Sequence, residues 1–308
     1  MSVTLPPSEF YDLDDSINSC FLCGQPKYKT ILSSKYFGFP VQFSKCRCGI
    51  VKQTPMPNQK FFEWFFNSDL FISAKQSGSD KIWGFYDYFN DENCRLATSK
   101  LRYKKLHKYF TSDRPLDLMK IGPSTGTFLN VANCNGHKAI GCDISSKFIE
   151  YAKSEYNVKI DKGRFEYLSY KDEQFDIIML FNVIENIPNQ DEFLRSVKRT
   201  LRVGGYFILN YVDMKNNIIA KFQGEKYFLY RPPICYLFDN ISINKLLEKY
   251  GFEVQKKYMD IRYLHLEKIF LLLGWPQMFR IFKYLKMHRI IFPIYAYPPN
   301  IMVSRRIS

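Results

Sequence analysis

The chain reads as an α/β protein built on a doubly wound parallel sheet, with a small cysteine module ahead of it. Three observations predict this. From residue 113 onward, strand patterns and helix patterns alternate. Apolar runs such as "FDIIMLFNVI" (175–184) have the composition of strands buried on both faces, as parallel sheets require. A glycine-bracketed turn, "GPSTG" (122–126), stands between the first strand and the first helix of that series. In open α/β sheets this is where ligands lie.

Residues 1–55 form one unit, ended by the proline-marked "QTPMPNQ" (53–59). Residues 56–112 read as a helical lid, most clearly in "CRLATSKLRYKKLHKYF" (94–110), where apolar residues recur at helical spacing. Residues 113–308 carry the α/β pattern and a helical extension. "PLDLMKIG" (115–122) is a strand and "TFLNVANCNG" (127–136) a helix stopped by Gly136. "KAIGCDIS" (138–145) is the second strand, and "SSKFIEYAKSEY" (145–156) is a helix with a serine start. "DEFLRSVKRTL" (191–201) is amphipathic, acidic first and basic last, as the helix dipole prefers. "RVGG" turns into the strand "YFILNY" (206–211). "SINKLLEKYG" (242–251) is expected to have a serine cap and a glycine stop, followed by strands "FEVQKKYM" (252–259) and "NIMVSRR" (300–306). Residues 265–297 mix apolar and basic residues at roughly helical spacing. They are expected to form a helix packed on the sheet; the other reading is a membrane-surface helix that docks a lipid-linked substrate.

With 308 residues, 46% apolar and 24% charged, the chain has the material for a packed core and no signature of disorder. The start lacks the basic and apolar regions of a signal peptide, and no run of about 18 apolar residues occurs. A cytoplasmic protein without a spanning helix is expected. The net charge of +14 would suit nucleic acid, anionic lipid or a phosphorylated substrate. The lysines are scattered, however, and no run of like charges marks a nucleic-acid arm.

Four of the eight cysteines fall in two close pairs: Cys20 and Cys23 in "CFLCG", and Cys46 and Cys48 in "KCRCG". The insert between them, "KYKTILSSKYFGFPVQFS" (27–44), is β-prone. Two thiolates on each of two turns are the pattern of a zinc ribbon with a closed, structural Cys₄ site. The second pair has one intervening residue where two are usual. Disulfides, disfavoured in a reducing compartment, and four buried thiols are the alternatives.

Gly122 and Gly126 let backbone approach a ligand, and the helix that follows favours a negative group at its start. Asp143 ends the second strand 21 residues after Gly122, the spacing at which an acid accepts ribose hydroxyls. The turn lacks the G-x-G-x-x-G spacing of dinucleotide loops and the G-K-[ST] of phosphate loops. A phosphate-free adenosyl cofactor such as S-adenosylmethionine fits better.

In order, "LDLMKIGPSTGTFL", "AIGCDISSKFIEYAK", "FDIIMLFNVIENIPNQDEFLRSVKRTLRVGGYFILN" and "LLEKYGFEV" resemble the motifs of class I S-adenosylmethionine-dependent methyltransferases. "KCRCGIVKQTPMP" and "YDYFNDENCRLAT" are similar to a subgroup that joins a zinc ribbon to that domain. The resemblance implies a Rossmann-like sheet, with S-adenosylmethionine and zinc as cofactors. It implies an acceptor among sugars, lipids or other small metabolites; the net charge and the stretch 265–297 would suit an anionic or lipid-linked one. By the same resemblance Gly122, Pro123, Ser124, Thr125 and Gly126 form the cofactor loop, Asp143 holds ribose and Ile144 packs on adenine. Backbone near Phe165 meets the adenine edge, and Asn182 lies below the sulfonium.

The chain departs from the family pattern at four places. Lys120 stands where an acid usually orients the cofactor's ammonium group, and Ser124 stands where a glycine is usual. Asn186, and the pair Ile234 and Cys235, replace histidines, so the usual general bases are missing. Lys120 is expected to snorkel away or to pair with a substrate phosphate. Glu185, Glu225, Tyr227, Tyr230 and Tyr236 remain as catalytic candidates. Two other readings stay open: a cofactor-degenerate binding protein, and a nucleic-acid methyltransferase. The second rests on charge alone and lacks the "N/D-P-P-Y/F" sequence used on exocyclic amines.

Overall fold

The computed structural model describes residues 8–12, 19–26, 28–36, 39–72, 88–224, 227, 229–266, 269, 282, 284–285, 290–294 and 299–308. Strands β1 (Tyr11–Asp12), β2 (Tyr28–Tyr36), β3 (Phe39–Cys46), β4 (Val51–Thr54) and β5 (Met56–Pro57) come first. Helices α1 (Gln59–Asn67), α2 (Asp69–Ile72) and α3 (Glu92–Phe110) follow. The alternating part then runs β6 (Asp117–Ile121), α4 (Thr127–Cys134), β7 (Lys138–Asp143), α5 (Ser146–Tyr156) and β8 (Ile160–Lys162). It continues through β9 (Phe175–Leu180), α6 (Gln190–Thr200), β10 (Leu201–Val212) and α7 (Ile218–Gln223). It closes with β11 (Tyr236–Leu237), α8 (Asn240–Lys249), β12 (Phe252–Met259), β13 (Arg262–His265), β14 (Ile291–Ile294) and β15 (Pro299–Arg306).

The central sheet has seven strands in the order β12-β15-β10-β9-β6-β7-β8. β8, β7, β6, β9 and β10 pair in parallel, and β15 runs antiparallel to both β10 and β12. The expected doubly wound sheet is present, with an antiparallel edge. The chain leaves β6 toward β7 on one side and returns to β9 on the other. That reversal opens a crevice above the carboxyl ends of β6 and β9. The strands beside it are apolar on both faces: Leu118, Met119, Ile177, Ile178, Met179 and Leu180 are all buried.

Several element ends differ from the sequence reading. β9 stops at Leu180, because Asn182 adopts a left-handed backbone (φ 59°) that breaks the strand. β10 begins at Leu201, before the two glycines of "RVGG", which are absorbed as an irregularity in the pairing with β9. Helix α8 is capped by Asp239, not by Ser242. The Asp239 carboxylate accepts the Ser242 N–H at 2.7 Å, and Ser242 Oγ accepts the Asp239 N–H at 2.9 Å. Most of 265–297 lies outside the described residues. Within it Leu266, Ile269, Phe282 and Tyr284 are helical, as expected, while His265 and Ile291–Ile294 belong instead to the antiparallel pair β13 and β14.

The cysteine module shares its construction with the α/β part. β2 and β3 form a hairpin and β4 adds to it, but the fourth strand of that sheet is β11, from beyond residue 230. One apolar core contains Cys46, Ile50, Phe61 and Phe65 together with Met119, Tyr211, Phe238 and Leu246. No helix among the described residues is long and apolar enough to cross a membrane.

Candidate active site and cysteine cluster

A cavity of about 410 Å³ occupies the crevice. At one end it is lined by Gly122, Ser124, Asp143, Ile144 and Phe165, and at the other by Glu185, Asn186, Val212, Ile234, Arg231 and Arg262. Asn182 and Val183 lie at the β9 turn between these ends.

The loop after β6 is shaped by close packing. Gly122 (φ 60°) needs glycine twice over, since a Cβ there would stand 2.7 Å from Val183 Cγ2 as well as adopt a strained backbone. Ser124 also takes a left-handed backbone (φ 55°), which costs a non-glycine residue about 1 kcal/mol. Its hydroxyl offsets this by accepting the Thr125 N–H at 2.6 Å and meeting Tyr88 OH at 2.8 Å. The serine is therefore a tie between the loop and Tyr88, in the segment that leads into α3. Arg95 continues the tie by stacking on the Tyr88 ring at 4.2 Å and donating to Thr125 Oγ1 at 3.2 Å.

Asp143 is fixed from two sides. Oδ2 accepts the Ser124 N–H at 3.1 Å, and Oδ1 accepts the Ser145 N–H at 3.0 Å. Burial pushes its pKa up, against the pull of those N–H groups and of Lys120. Each oxygen keeps a lone pair for a further donor, which suits a pair of sugar hydroxyls. Around it Phe62, Phe66, Phe71, Tyr88 and Phe148 form an aromatic wall contributed by α1, α2, the segment leading into α3, and α5. α1 is held there by Ser145, whose Oγ lies 2.9 Å from the Phe66 carbonyl.

At the far end Glu185 is buried, and burial pushes its carboxyl up to about 7. Oε1 accepts the Val212 N–H at 3.0 Å, and Oε2 has no hydrogen bond among the described residues. Asn186 Oδ1 is buried without a hydrogen-bond partner there. Asn182 is held through both its backbone and its side chain. Its N–H donates to Asn210 Oδ1 at 2.6 Å, and its Oδ1 accepts from Asn210 at 3.2 Å and from Arg262 Nη2 at 2.5 Å. Below it, Asp260 binds Arg102 through both oxygens, at 2.8 and 2.5 Å, and also meets Asn210 and Arg262.

Lys120 neither snorkels nor reaches the cavity. It is 4% exposed, and its ammonium donates to the carbonyls of Ile121 (2.9 Å) and Gly122 (3.3 Å) and faces the Phe181 ring at 4.9 Å. Burial, helped by Arg102, pushes its pKa down to about 7.

In the amino-terminal cluster the four cysteine sulfurs all lie within 4.8 Å of one another. Cys20 and Cys48 sulfurs are 3.6 Å apart, and those of Cys23 and Cys46 are 3.5 Å apart, too far for S–S bonds. Four thiolates at zinc-bond length around one centre are about 3.8 Å apart, so the set fits a tetrahedral metal and a zinc ribbon. The turns are made by Gly24 (φ 69°) and Gly49 (φ 100°), whose N–H groups donate to the Cys20 and Cys46 carbonyls. A Cβ on Gly49 would fall 2.3 Å from Asp239 Oδ2, so the second turn leans directly on the cap of α8.

A family model described as "Methyltransferase domain" matches residues 88–257, more than half of the chain. The chain belongs to this methyltransferase family. An uncharacterized protein from Methanocaldococcus jannaschii is 31% identical over 147 residues, covering 48% of this chain and 66% of that protein. A demethylmenaquinone methyltransferase from Lactobacillus johnsonii is 27% identical over 119 residues, covering 38% of this chain and 47% of that protein. The chain thus matches between about half and two thirds of the length of these curated relatives. The solved structure of a putative sarcosine dimethylglycine methyltransferase from Galdieria sulphuraria is 11% identical and covers 70% of this chain and 87% of that one. Its TM-score of 0.50 marks a shared fold.

Of the residues singled out in the sequence, Gly122, Ser124, Asp143, Ile144, Phe165, Asn182 and Glu185 line this cavity. Pro123, Thr125 and Gly126 stand behind it. Gly126 (φ 82°) is required by packing, because a Cβ there would meet Ala152 and Val158 at 2.9 Å. Tyr227 accepts from Asn217 at 2.7 Å, Tyr230 packs its edge on Phe43, and Tyr236 donates to the Pro188 carbonyl. None of these three lines the cavity, and Glu225 lies outside the described residues. The sequence reading missed Tyr88, the phenylalanines of α1 and α2, Arg231 and Arg262. The phenylalanines of α1 had a signal in "KFFEWFFN" (60–67); the arginines had none.

Proposed function

We propose that the chain transfers a methyl group from S-adenosylmethionine to a small organic acceptor, and that its four cysteines hold a structural zinc. The observation that carries this reading is Asp143, fixed by two backbone N–H groups at the end of the second parallel strand and facing the cavity. Family membership and the name of the demethylmenaquinone relative support it.

When bound, S-adenosylmethionine supplies an electrophilic methyl group. Asp143 takes the ribose hydroxyls, Ile144 and Phe165 clasp the base, and the bare backbone at Gly122 leaves room for the amino-acid end. Phe62, Phe66, Phe71 and Tyr88 exclude water from that half of the cavity. Catalysis is chiefly positioning, with the acceptor held in line. Glu185 takes the acceptor's proton on Oε2, since a cavity-facing carboxyl with a pKa near 7 is matched to that task.

A second reading, a cofactor-binding homologue without turnover, is favoured by Lys120, a cation where relatives of this class place an acid. Titration calorimetry with S-adenosylmethionine and S-adenosylhomocysteine, on the wild type and Asp143→Ala, tests the binding reading. Both ligands are expected to bind the wild type, with a loss of about tenfold or more in the variant. Absence of binding at about 1 mM cofactor would sink the enzyme reading. Binding without methyl transfer to any acceptor would select the second.

A further inference from the structure

The turn that carries Glu185 is held by its carbonyls. Those of Ile184 and Ile187 accept from Gln190 Nε2, at 2.8 and 2.9 Å. Those of Glu185 and Pro188 are held from another direction, by residues at β11. The Cys235 N–H donates to the Glu185 carbonyl at 2.7 Å, and Tyr236 OH donates to that of Pro188 at 3.3 Å. Pro233 and Ile234, just ahead of these two, line the cavity. Tyr236 thus stays out of the cavity and yet holds the segment that carries the candidate base.

Both residues are fixed in turn by the cysteine module. The Cys235 carbonyl accepts the Gln53 N–H at 2.9 Å, and Tyr236 pairs with Lys52 in the ladder of β4 and β11. β4 leaves directly from the second cysteine turn, which the Cys46 N–H closes on the Ile50 carbonyl at 2.8 Å. The first cysteine turn reaches the same place by a side chain. Phe21, between Cys20 and Cys23, sets its ring edge-on against Tyr236 with centroids 5.0 Å apart. Cys20, Cys46, Cys235, Tyr236, Ile184 and Ile187 share one apolar core, and a close-packed interior transmits a shift at one end to the other. The cofactor end is held otherwise. Asp143 sits on the N–H groups of Ser124 and Ser145, and Ser124 on Tyr88, none of them in the cysteine sheet.

We propose that Cys235 and Tyr236 are positioning residues for Glu185, and that the metal-holding turns act through them on the acceptor end of the cavity. Without the metal the two turns lose what fixes them to each other, and β4 and Phe21 loosen their hold on β11. Glu185 then gains water, while Asp143 keeps its place. This inference rests on the zinc reading and on Glu185 as the base.

Glu185 reports its own surroundings, because burial holds its carboxyl up at about 7, against the pull of N–H groups and of Arg262. The experiment is an NMR titration of the intact chain with glutamate labelled at the side-chain carboxyl carbon, Glu185→Gln identifying the signal. It is run on the zinc-loaded chain, after a chelator has stripped the metal, and after zinc is restored, with S-adenosylhomocysteine calorimetry beside each. Stripping is expected to lower the Glu185 midpoint by about one pH unit or more, reversibly, with cofactor affinity kept within about threefold. Tyr236→Phe and Phe21→Ala leave all four cysteines in place. Each should keep zinc and lower the midpoint by about half a pH unit, while Phe21→Tyr, which keeps the ring, should leave it unmoved. A midpoint unmoved by stripping, or unmoved by both Tyr236→Phe and Phe21→Ala, would overturn the proposal. So would loss of cofactor binding in parallel with the change at Glu185, the mark of a ribbon that only holds the fold together. The readings separate cleanly. A zinc-loaded chain that ignores S-adenosylhomocysteine would remove the methyltransferase reading and leave the titration to judge the link. A chain that takes up no zinc would remove the metal's part and leave Tyr236→Phe to judge the positioning.

Discussion

Lys120 offers a quantitative handle on how the cofactor loop is supported. A lysine in an unfolded chain titrates near 10.5, and here burial brings it to about 7. The native state therefore binds fewer protons than the unfolded state between those two values, and stability must rise as pH rises through them. The full span, 3.5 pH units at about 1.36 kcal/mol each, amounts to about 5 kcal/mol. From pH 7 to pH 8.5 the expected gain is about 1.5 kcal/mol, or roughly 3–6 °C in Tm for a chain of this size class. Glu185 works in the opposite direction, its raised carboxyl costing stability as pH rises toward 7, so it leaves the upper window clear. Lys120→Met removes the buried cation at similar volume and leaves the Ile121 and Gly122 carbonyls without their donor, a loss of about 1–3 kcal/mol. The net effect at pH 6 is a stabilisation of about 2 kcal/mol that shrinks to about zero by pH 9. Thermal melts of both proteins from pH 6 to pH 8.5 read this directly. A wild-type Tm flat across that range, with the variant less stable at every pH, would refute the buried-cation account.

Three further outcomes are expected. Glu185→Gln should lower methyl-transfer rate by about a hundredfold or more and abolish a rise in rate through pH 7, seen by pH-rate profiles on both proteins. Gly126→Ala should cost about 1–3 kcal/mol in denaturant melts through its left-handed backbone and its clash with Ala152 and Val158. Its cofactor affinity should change little, because the residue stands behind the cavity. Cys48→Ser should drop bound zinc, measured by elemental analysis, and raise hydrogen exchange in β4 and β11, while β6 and β7 stay protected. Unchanged metal content in that variant would remove the ribbon.

The sheet, the loop and Asp143 were legible in the sequence because each depends on local pattern: doubly buried apolar runs, a glycine turn, and a fixed spacing to the acid. The cysteine pairs were legible for the same reason. The cap of α8 was misread because two serviceable caps lie three residues apart, and a capping box uses both Asp239 and Ser242. β9 was drawn too long because Phe181 and Val183 continue the apolar run, whereas the left-handed turn at Asn182 is set by the distant Asn210. The place of Arg262 depends on where the chain turns after β12, and that of Tyr88 on a contact with Ser124 across 36 residues. Neither leaves a periodic trace. Lys120 was recognisable as a departure, but its inward course is decided by Phe181 and the loop carbonyls, which only the folded chain brings together.

The antiparallel pairing of Val51 with Leu237 has a consequence for synthesis. A ribosome delivers the four cysteines and three strands of the first sheet long before the residues that complete its edge. Until residue 237 emerges, β4 is an open rim, available to solvent or to other chains, and Ile50 and Phe61 await Phe238 and Leu246. The nascent cysteine turns can gather a metal ion early, but the sheet they belong to closes only when most of the methyltransferase domain has been made.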